Sequence, residues 1–525
     1  MPDRRCTGNA VNDRQTDPAD VRTILRSDGQ GGRRPGAGGP GDDRGEASSP
    51  RSRTLASVLR RAGQFIRSVS RPTGDHAPLM RNAYALMANT AVTGMLGLAY
   101  WLLAARHYAP ADVGRASAAY SALNLLAGIT ALSLIGAMAR FIPQSGSRTS
   151  RLIRLGYLAS VLTAVAGSAI FLLFTGRPGT SYSELNGIRA GVIFTVCVAI
   201  WALFTLQDGA LIGLRSARWV TLENALFGVA KIALLLPLAT LIPHTGLYVA
   251  WMVPAALAVP LVNILIFRKL LPAHARQSGE RRPPSRNQLG KFLAGDVTGA
   301  LMLLATVSLV PVLVAMFVAP GVNAYFYMAW TIGTTVDLLA ANMALSLTVE
   351  GAFNPVRLAV HARAALRRIL LILVPVAVAT ALLAPWILGL FGPDYARYGA
   401  PVLVLLAAAT LPRTLTEIYL GALRAQSRTS LVALVQGARA VLVLSLTLAL
   451  TKVMGILGAG VGVLASQLIM AVAVTPGLLR VLTADRRAPA AGATAAGPEG
   501  QAAAKEAQAA ALAQAAAKET WSAER

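Results

Sequence analysis

From Met80 onward the chain alternates apolar runs of about 20 residues with short polar breaks, and each run, wound as a helix, would cross a hydrocarbon core roughly 30 Å thick. Backbone in lipid must satisfy its own hydrogen bonds, so such runs are restricted to transmembrane helices. About twelve spans are expected, at 84–105, 115–138, 155–174, 188–206, 219–241, 247–267, 292–317, 323–347, 369–390, 400–420, 431–450 and 457–477. Composition agrees: 54% of the 525 residues are hydrophobic, 14% are charged and the mean hydropathy is +0.54, whereas soluble domains carry about 25% charged residues. The fold class is therefore an all-α polytopic membrane protein.

The net charge of +25 sits between the apolar runs and not on one amphipathic surface, which argues for membrane topology and against nucleic acid. One set of loops (139–154, 207–218, 268–291, 348–368, 421–430, 478–487) holds about 22 Lys and Arg, and the opposite set about six. The positive-inside rule puts the first set, and both termini, in the cytoplasm. This predicts a multi-pass membrane protein with both termini on the cytoplasmic side.

Six spans per half is an even number, so both halves enter the membrane in the same direction as parallel repeats. Ala109-Pro110 precedes span two and Ala319-Pro320 precedes span eight, and ALSL recurs at 131–134 and 344–347. The stretch RSARWVTLENALFGVAKIALLLPL echoes RAQSRTSLVALVQGARAVLVLSL, each with a Gly followed by a cation, Lys231 or Arg439. The expected organisation is a basic cytoplasmic tail (1–78), a six-helix bundle (79–267), a cytoplasmic linker (268–291), a second bundle (292–482) and an Ala-rich cytoplasmic tail (483–525).

Within the first tail, Leu55, Val58, Leu59, Ala62, Phe65, Ile66 and Val69 fall on one helical face amid arginines. They predict an amphipathic helix at about 53–70 on the cytoplasmic leaflet. The Ala-rich end reads as a solvated helix or a spacer without activity. The two cysteines, Cys6 and Cys197, lie in unlike settings and make neither a disulfide nor a metal site, and the chain carries no HExxH, GxSxG, P-loop or nucleotide fingerprint. No enzyme activity, cofactor or metal is expected.

Chemistry is sought at ionisable groups inside the spans, because each costs about 2.5 to 3.5 kcal/mol at a span centre. Lys231, Arg413 and Arg439, with Arg140 at the cytoplasmic end of span two, are candidates for an anionic head group, Lys as a point charge and Arg as a bidentate fork. Neutralisation by Asp337, Glu223 or Glu417 is the competing role. Asp337 and Asp296 are candidates for a coupling ion or an ion pair, and Asn89, Asn124 and Asn342 for sugar hydroxyls or interhelical hydrogen bonds. Asp208 and Glu223 read as snorkelling charges near cytoplasmic ends. Tyr325, Phe326, Tyr327 and Trp330 read as an interfacial belt. Pro237, Pro254, Pro260, Pro311, Pro375 and Pro385 are expected to kink helices.

Three stretches carry a family likeness: RNAYALMANTAVTGMLGLAYWLLAARHYAPADVGRASAAYSALNLLAGITALSLIGAMARFIP from Arg81, NAYFYMAWTIGTTVDLLAANMALSLTVEG from Asn323, and LFGPDYARYGAPVLVLLAAATLPRTLTEIYLGALRAQSRT from Leu390. Over residues 80–482 the chain resembles the multidrug/oligosaccharidyl-lipid/polysaccharide exporter superfamily, and within it the bacterial oligosaccharide (O-antigen type) flippases. That resemblance implies a V-shaped pair of bundles around a cavity that opens alternately to either side, with spans one, two, seven and eight lining the cleft. It raises Arg140, Asn89, Asn124, Asp296 and Asp337 as cavity residues and moves Lys231 and Arg439 away from it. Multidrug relatives place coupling acids in span one, where this chain has no Asp or Glu.

The expected function is accordingly translocation of a polyprenyl-pyrophosphate-linked oligosaccharide or related glycolipid for cell-surface polysaccharide assembly. Its partners would be membrane lipids, the lipid-linked glycan and assembly proteins met through the N-terminal tail. A cation-coupled small-molecule exporter and a transport-inactive scaffold are the alternatives.

Overall fold

The computed structural model describes residues 77–175, 178–278, 301–302, 304–353 and 358–487. The expected surface helix at about 53–70, residues 279–300 with Asp296, and the Ala-rich segment from 488 lie outside them. No strand occurs among the described residues. The first half comprises α1 (Ala77–His107), α2 (Pro110–Phe141), α3 (Thr149–Phe174), α4 (Ile188–Gly213), α5 (Ala217–Leu241) and α6 (Gly246–Leu265). The last continues through a π-helical turn, Ile266–Leu270, into Leu271–Ser278.

In the second half a π-helical turn, Ala305–Leu309, leads into α7 (Val310–Ala315), followed by α8 (Pro320–Phe353), α9 (Leu358–Gly389) and α10 (Ala400–Ala425). The helical stretch Thr429–Arg487 breaks at Gly455, whose φ of 61° and ψ of −142° are non-helical, and so divides into α11 (429–454) and α12 (456–487). Only a residue without a side chain enters that region cheaply. Among the described residues seven continuous segments are long and apolar enough to cross a bilayer, one of them being α11 and α12 together. Pro311 follows directly on the π-helical turn 305–309 that runs into α7, so its missing amide falls within a continuous helical stretch whose regular α pattern is broken just before it. The other five prolines lie inside α5, α6 and α9.

The outer surface is apolar. On α3, Ile170, Leu173 and Phe174 are 59%, 82% and 69% exposed, which suits acyl chains and not water. The buried face of α3 is a row of small residues, Gly156, Ser160, Ala164 and Ser168. Their spacing lets α3 approach its neighbour closely, the means by which helices associate in lipid without a hydrophobic driving force.

The two halves repeat one another in detail. The Ala-Pro echo marks the start of α2 and of α8. Both α4 and α10 have 26 residues. Each ends in a residue with φ of 56°, Arg215 in one half and Ser427 in the other. Around Arg215 the amides of Leu214, Arg215 and Ser216 donate to Ala210, Ile212 and Leu211 carbonyls; around Ser427 those of Gln426, Ser427 and Arg428 donate to Ala422, Arg424 and Leu423. A left-handed residue closing orphan carbonyls is a helix C-terminal motif that usually takes Gly or Asn. Here two unlike side chains occupy it in the same place.

The end at which α1 finishes and α2 begins is termed the upper end. There the halves meet without spare room: a Cβ on Gly114 would overlap the Pro320 carbonyl. Beside it Asn323 donates to the Gly114 carbonyl (2.9 Å) and to Ser117 Oγ (3.2 Å). Arg106 Nε donates to the Leu390 carbonyl (2.5 Å), and the Ser181 amide to the Ala315 carbonyl (3.3 Å). The upper end is thus a closed seam of backbone and amide contacts.

Candidate substrate cavity

Beneath this seam a cavity of about 530 Å³ lies between the halves. Its first wall comes from α2, through Tyr120, Ser121, Asn124, Ala127, Gly128 and Ala131, and from Trp201 and Thr205 of α4. The facing wall comes from Leu304, Val307, Ser308 and Pro311 before and within α7, and from Tyr327, Trp330, Thr331 and Thr334 of α8. These positions recur every three or four residues, so each helix presents one stripe to the space. The stripe of α8 corrects the belt reading: Phe326, Tyr327 and Trp330 are 0%, 6% and 8% exposed, and the last two line the cavity. Tyr325, one residue earlier, stacks on Tyr398.

The lining combines four aromatic rings with hydroxyls and one amide, and among the described residues it holds no carboxylate. Asn124 is held in place: its Nδ2 donates to the Tyr120 carbonyl (3.1 Å) and its Oδ1 accepts from Trp201 Nε1 (3.2 Å). The side chains of Asn89 and Asn342 lie outside the described residues.

Charge is kept one layer behind the walls. In the second half Arg413 Nη1 meets Asp337 Oδ2 at 2.5 Å, and Arg439 Nη1 meets Glu417 Oε1 at 2.6 Å. Arg413 Nε lies 3.7 Å from the same Glu417 oxygen, which links the pairs into one network of two acids and two bases. Asp337, Arg413 and Arg439 border a small space of about 20 Å³ with Gln467, Trp330 and Thr334. Trp330 and Thr334 also line the large cavity, so the two spaces share a wall there. The network spans α8, α10 and α11, and its members, up to 102 positions apart in sequence, are joined only by the fold.

In the first half Lys231 is 4% exposed. Its Nζ lies 3.7 Å from the ring centre of Trp251, 4.9 Å from Tyr100 and 5.1 Å from Phe227. No carboxylate pairs with it among the described residues, so π faces compensate its charge. Trp251 in turn contacts Tyr120 (4.2 Å) and Trp201 (5.8 Å) of the cavity wall. Lys231 and Arg439 are thus both buried, as the sequence echo suggests, but are compensated by different means.

Arg140 is exposed at the end of α2, against the Phe141 ring, and does not line the described cavity. Asp208 and Glu223 do not snorkel. Asn224 Nδ2 donates to both oxygens of Asp208 at 3.3 Å, and Glu223 is only 6% exposed. Sequence reading also passed over Tyr120, Trp201, Thr331 and Thr334; the polar spacing Tyr327, Thr331, Thr334 on an otherwise apolar span is the signal that marks them.

No family model and no curated protein sequence matches the chain. Solved structures do. An inward-facing multidrug resistance MATE family transporter of the MOP superfamily is 15% identical, with a TM-score of 0.57 over 77% of this chain and 99% of that one. A MOP superfamily transporter from Pyrococcus furiosus, described as having a binding pocket of reverse polarity, is 15% identical with a TM-score of 0.54 over 78% and 96%. The lipid II flippase MurJ in an inward closed conformation is 12% identical with a TM-score of 0.54 over 77% and 91%. The chain has the fold of these membrane transporters.

Proposed function

We propose that this chain is a flippase that moves a polyprenyl-pyrophosphate-linked oligosaccharide, or a related glycolipid, across the bacterial plasma membrane by alternating access. The cavity lining carries the reading. Aromatic faces among hydroxyls and an amide suit a polyhydroxylated sugar, and a lining free of carboxylates among the described residues suits an anion better than a cationic drug. A neighbour described as a lipid II flippase supports the substrate class.

On this reading the lower end faces the cytoplasm with its basic loops, both termini lie there, and the state described is closed on the outer side. The sugar enters the cavity while the lipid tail stays in the bilayer. Lys231, behind Trp251 and without a paired carboxylate among the described residues, provides positive potential that offsets the phosphates, whose unassisted transfer through hydrocarbon is prohibitive, while Arg413 and Arg439 are balanced by Asp337 and Glu417 and contribute only by exchanging those partners for phosphate. An inside-negative potential favours outward passage of two negative charges by roughly 4 to 5 kcal/mol per 100 mV. The bundles at 79–267 and 292–482 then rock about the linker 268–291, and the N-terminal tail recruits assembly partners.

The test is translocation of a fluorescent lipid-linked oligosaccharide by purified protein in liposomes, with Trp201→Ala and Thr331→Val as cavity variants. Both should slow translocation several-fold; wild-type rates in both would remove the cavity from the pathway. Asp337, in the small space behind Trp330 and Thr334, supports a second reading as a cation-coupled exporter. Ion-dependent efflux of a small molecule that is lost in Asp337→Asn would favour it.

A further inference from the structure

The cavity walls have a hydrogen-bonding polarity that their composition conceals. Ser121, Thr205, Ser308, Thr331 and Thr334 bring aliphatic hydroxyls to the lining, and four of the five are already engaged with their own helix. Ser121 Oγ lies 2.8 Å from the Ser117 carbonyl oxygen and Thr205 Oγ1 2.8 Å from that of Trp201. Thr331 Oγ1 lies 2.9 Å from the Tyr327 carbonyl oxygen and Thr334 Oγ1 2.9 Å from that of Trp330. A carbonyl oxygen only accepts, so in each pair the hydroxyl donates. A hydroxyl carries one proton and two lone pairs, and what these four present to a ligand is therefore lone pairs. They stand on α2, α4 and α8, on both sides of the space.

The one amide in the lining is fixed by the same logic. The Trp201 indole only donates and the Tyr120 carbonyl only accepts, so Asn124 must turn its oxygen to the first and its nitrogen to the second. Asn124 cannot exchange its ends to suit another ligand without losing both bonds. No charged side chain lines the cavity among the described residues. A carboxylate on a bound sugar would lose its water and meet lone pairs with no cation beside them, a cost that nothing here offsets. An ammonium would find lone pairs but no counter-charge, and Lys231 stands behind Trp251 at the same wall. A neutral sugar brings a proton to each lone pair with every hydroxyl, and its C–H face lies on the Trp201 and Trp330 rings. The phosphates only accept, so they gain nothing from these hydroxyls and depend on the field of Lys231.

We infer that the cavity selects its sugar by hydrogen-bond donors: it seats an uncharged, hydroxyl-rich head and rejects sugars that carry a carboxylate or whose hydroxyls are capped. This specificity rests on the flippase reading and narrows it. Discrimination is steep because a buried acceptor that faces a ligand without a proton for it stays unsatisfied.

The test offers liposomes holding the purified full chain three fluorescent polyprenyl-pyrophosphate monosaccharides that differ only in the sugar: glucose, O-methylated glucose and glucuronic acid. Wild type should move the glucose head several-fold faster than either of the others. Thr205→Val with Thr331→Val keeps the volume and removes two acceptors, and should bring the ratio of glucose to methylated glucose towards one. Thr195→Val removes a hydroxyl bonded to its own helix in the same way, at 2.8 Å from the Gly191 carbonyl of α4 but outside the cavity lining, and should leave that ratio intact. Equal rates for glucose and either other head in wild type would overturn the inference while leaving the flippase reading standing. A ratio unchanged in the double variant would trace rejection of the methylated head to its size, and an equal loss in Thr195→Val would trace the effect to helix packing; either would overturn the inference. If none of the three heads crosses, the flippase reading itself fails, and this specificity with it.

Discussion

Replacing Glu417 by Gln removes the one carboxylate that holds two guanidiniums, at 2.6 Å from Arg439 and 3.7 Å from Arg413. Arg439 is 2% exposed and cannot reach water. A buried arginine left without its partner costs about 3 to 5 kcal/mol, while Arg413 keeps Asp337 at 2.5 Å and loses less. The double variant Glu417→Gln, Arg439→Gln restores one acid to one base and should recover a good part of the loss, with a coupling energy of about 2 kcal/mol. Reversible unfolding of the four proteins in mixed micelles, followed by tryptophan fluorescence, completes the cycle. A cost below about 1 kcal/mol for Glu417→Gln, or strict additivity, would show that the network is loosely hydrated and that the burial argument fails.

Lys231→Met preserves the volume within the ring cage and should fold to within about 1 kcal/mol of wild type, yet flip an anionic lipid-linked sugar several-fold more slowly in liposomes. A wild-type rate would remove Lys231 from the proposed field. Gly114→Ala forces α2 away from the Pro320 carbonyl and should open the upper seam, read as faster alkylation of a cysteine placed at Ser117. Ser427→Gly relieves a left-handed residue and should raise stability by about 1 kcal/mol, whereas Ser427→Val should lower it. The same pair at Arg215 should behave alike if the two turns are equivalent.

The architecture was legible because the constraint that sets it is one-dimensional. Apolar run length marks a span whatever its neighbours, and the Ala-Pro echo marks the start of α2 and α8. Partner choice was not legible, because it depends on which helices touch. Arg413 meets Asp337 across 76 positions, and Lys231, an equally plausible partner for that acid in sequence, is caged by aromatics instead. Tyr327 and Trp330 have the composition of an interfacial belt, and only the facing α2 shows that they line a cavity. Glu223 sits near the start of α5, where charge looks inexpensive, but surrounding helices bury it. The matched turns at Arg215 and Ser427 carry the duplication in their backbone conformation, where unlike residues conceal it from sequence comparison.

The central claim concerns the sign and nature of what crosses. In one batch of liposomes holding the purified chain under an inside-negative potential, a fluorescent polyprenyl-pyrophosphate oligosaccharide and a cationic dye can be followed side by side. The lipid-linked sugar should cross at a rate that rises with the potential while the dye stays put. Movement of the dye against its gradient, with the lipid-linked sugar left in its original leaflet, would contradict the account.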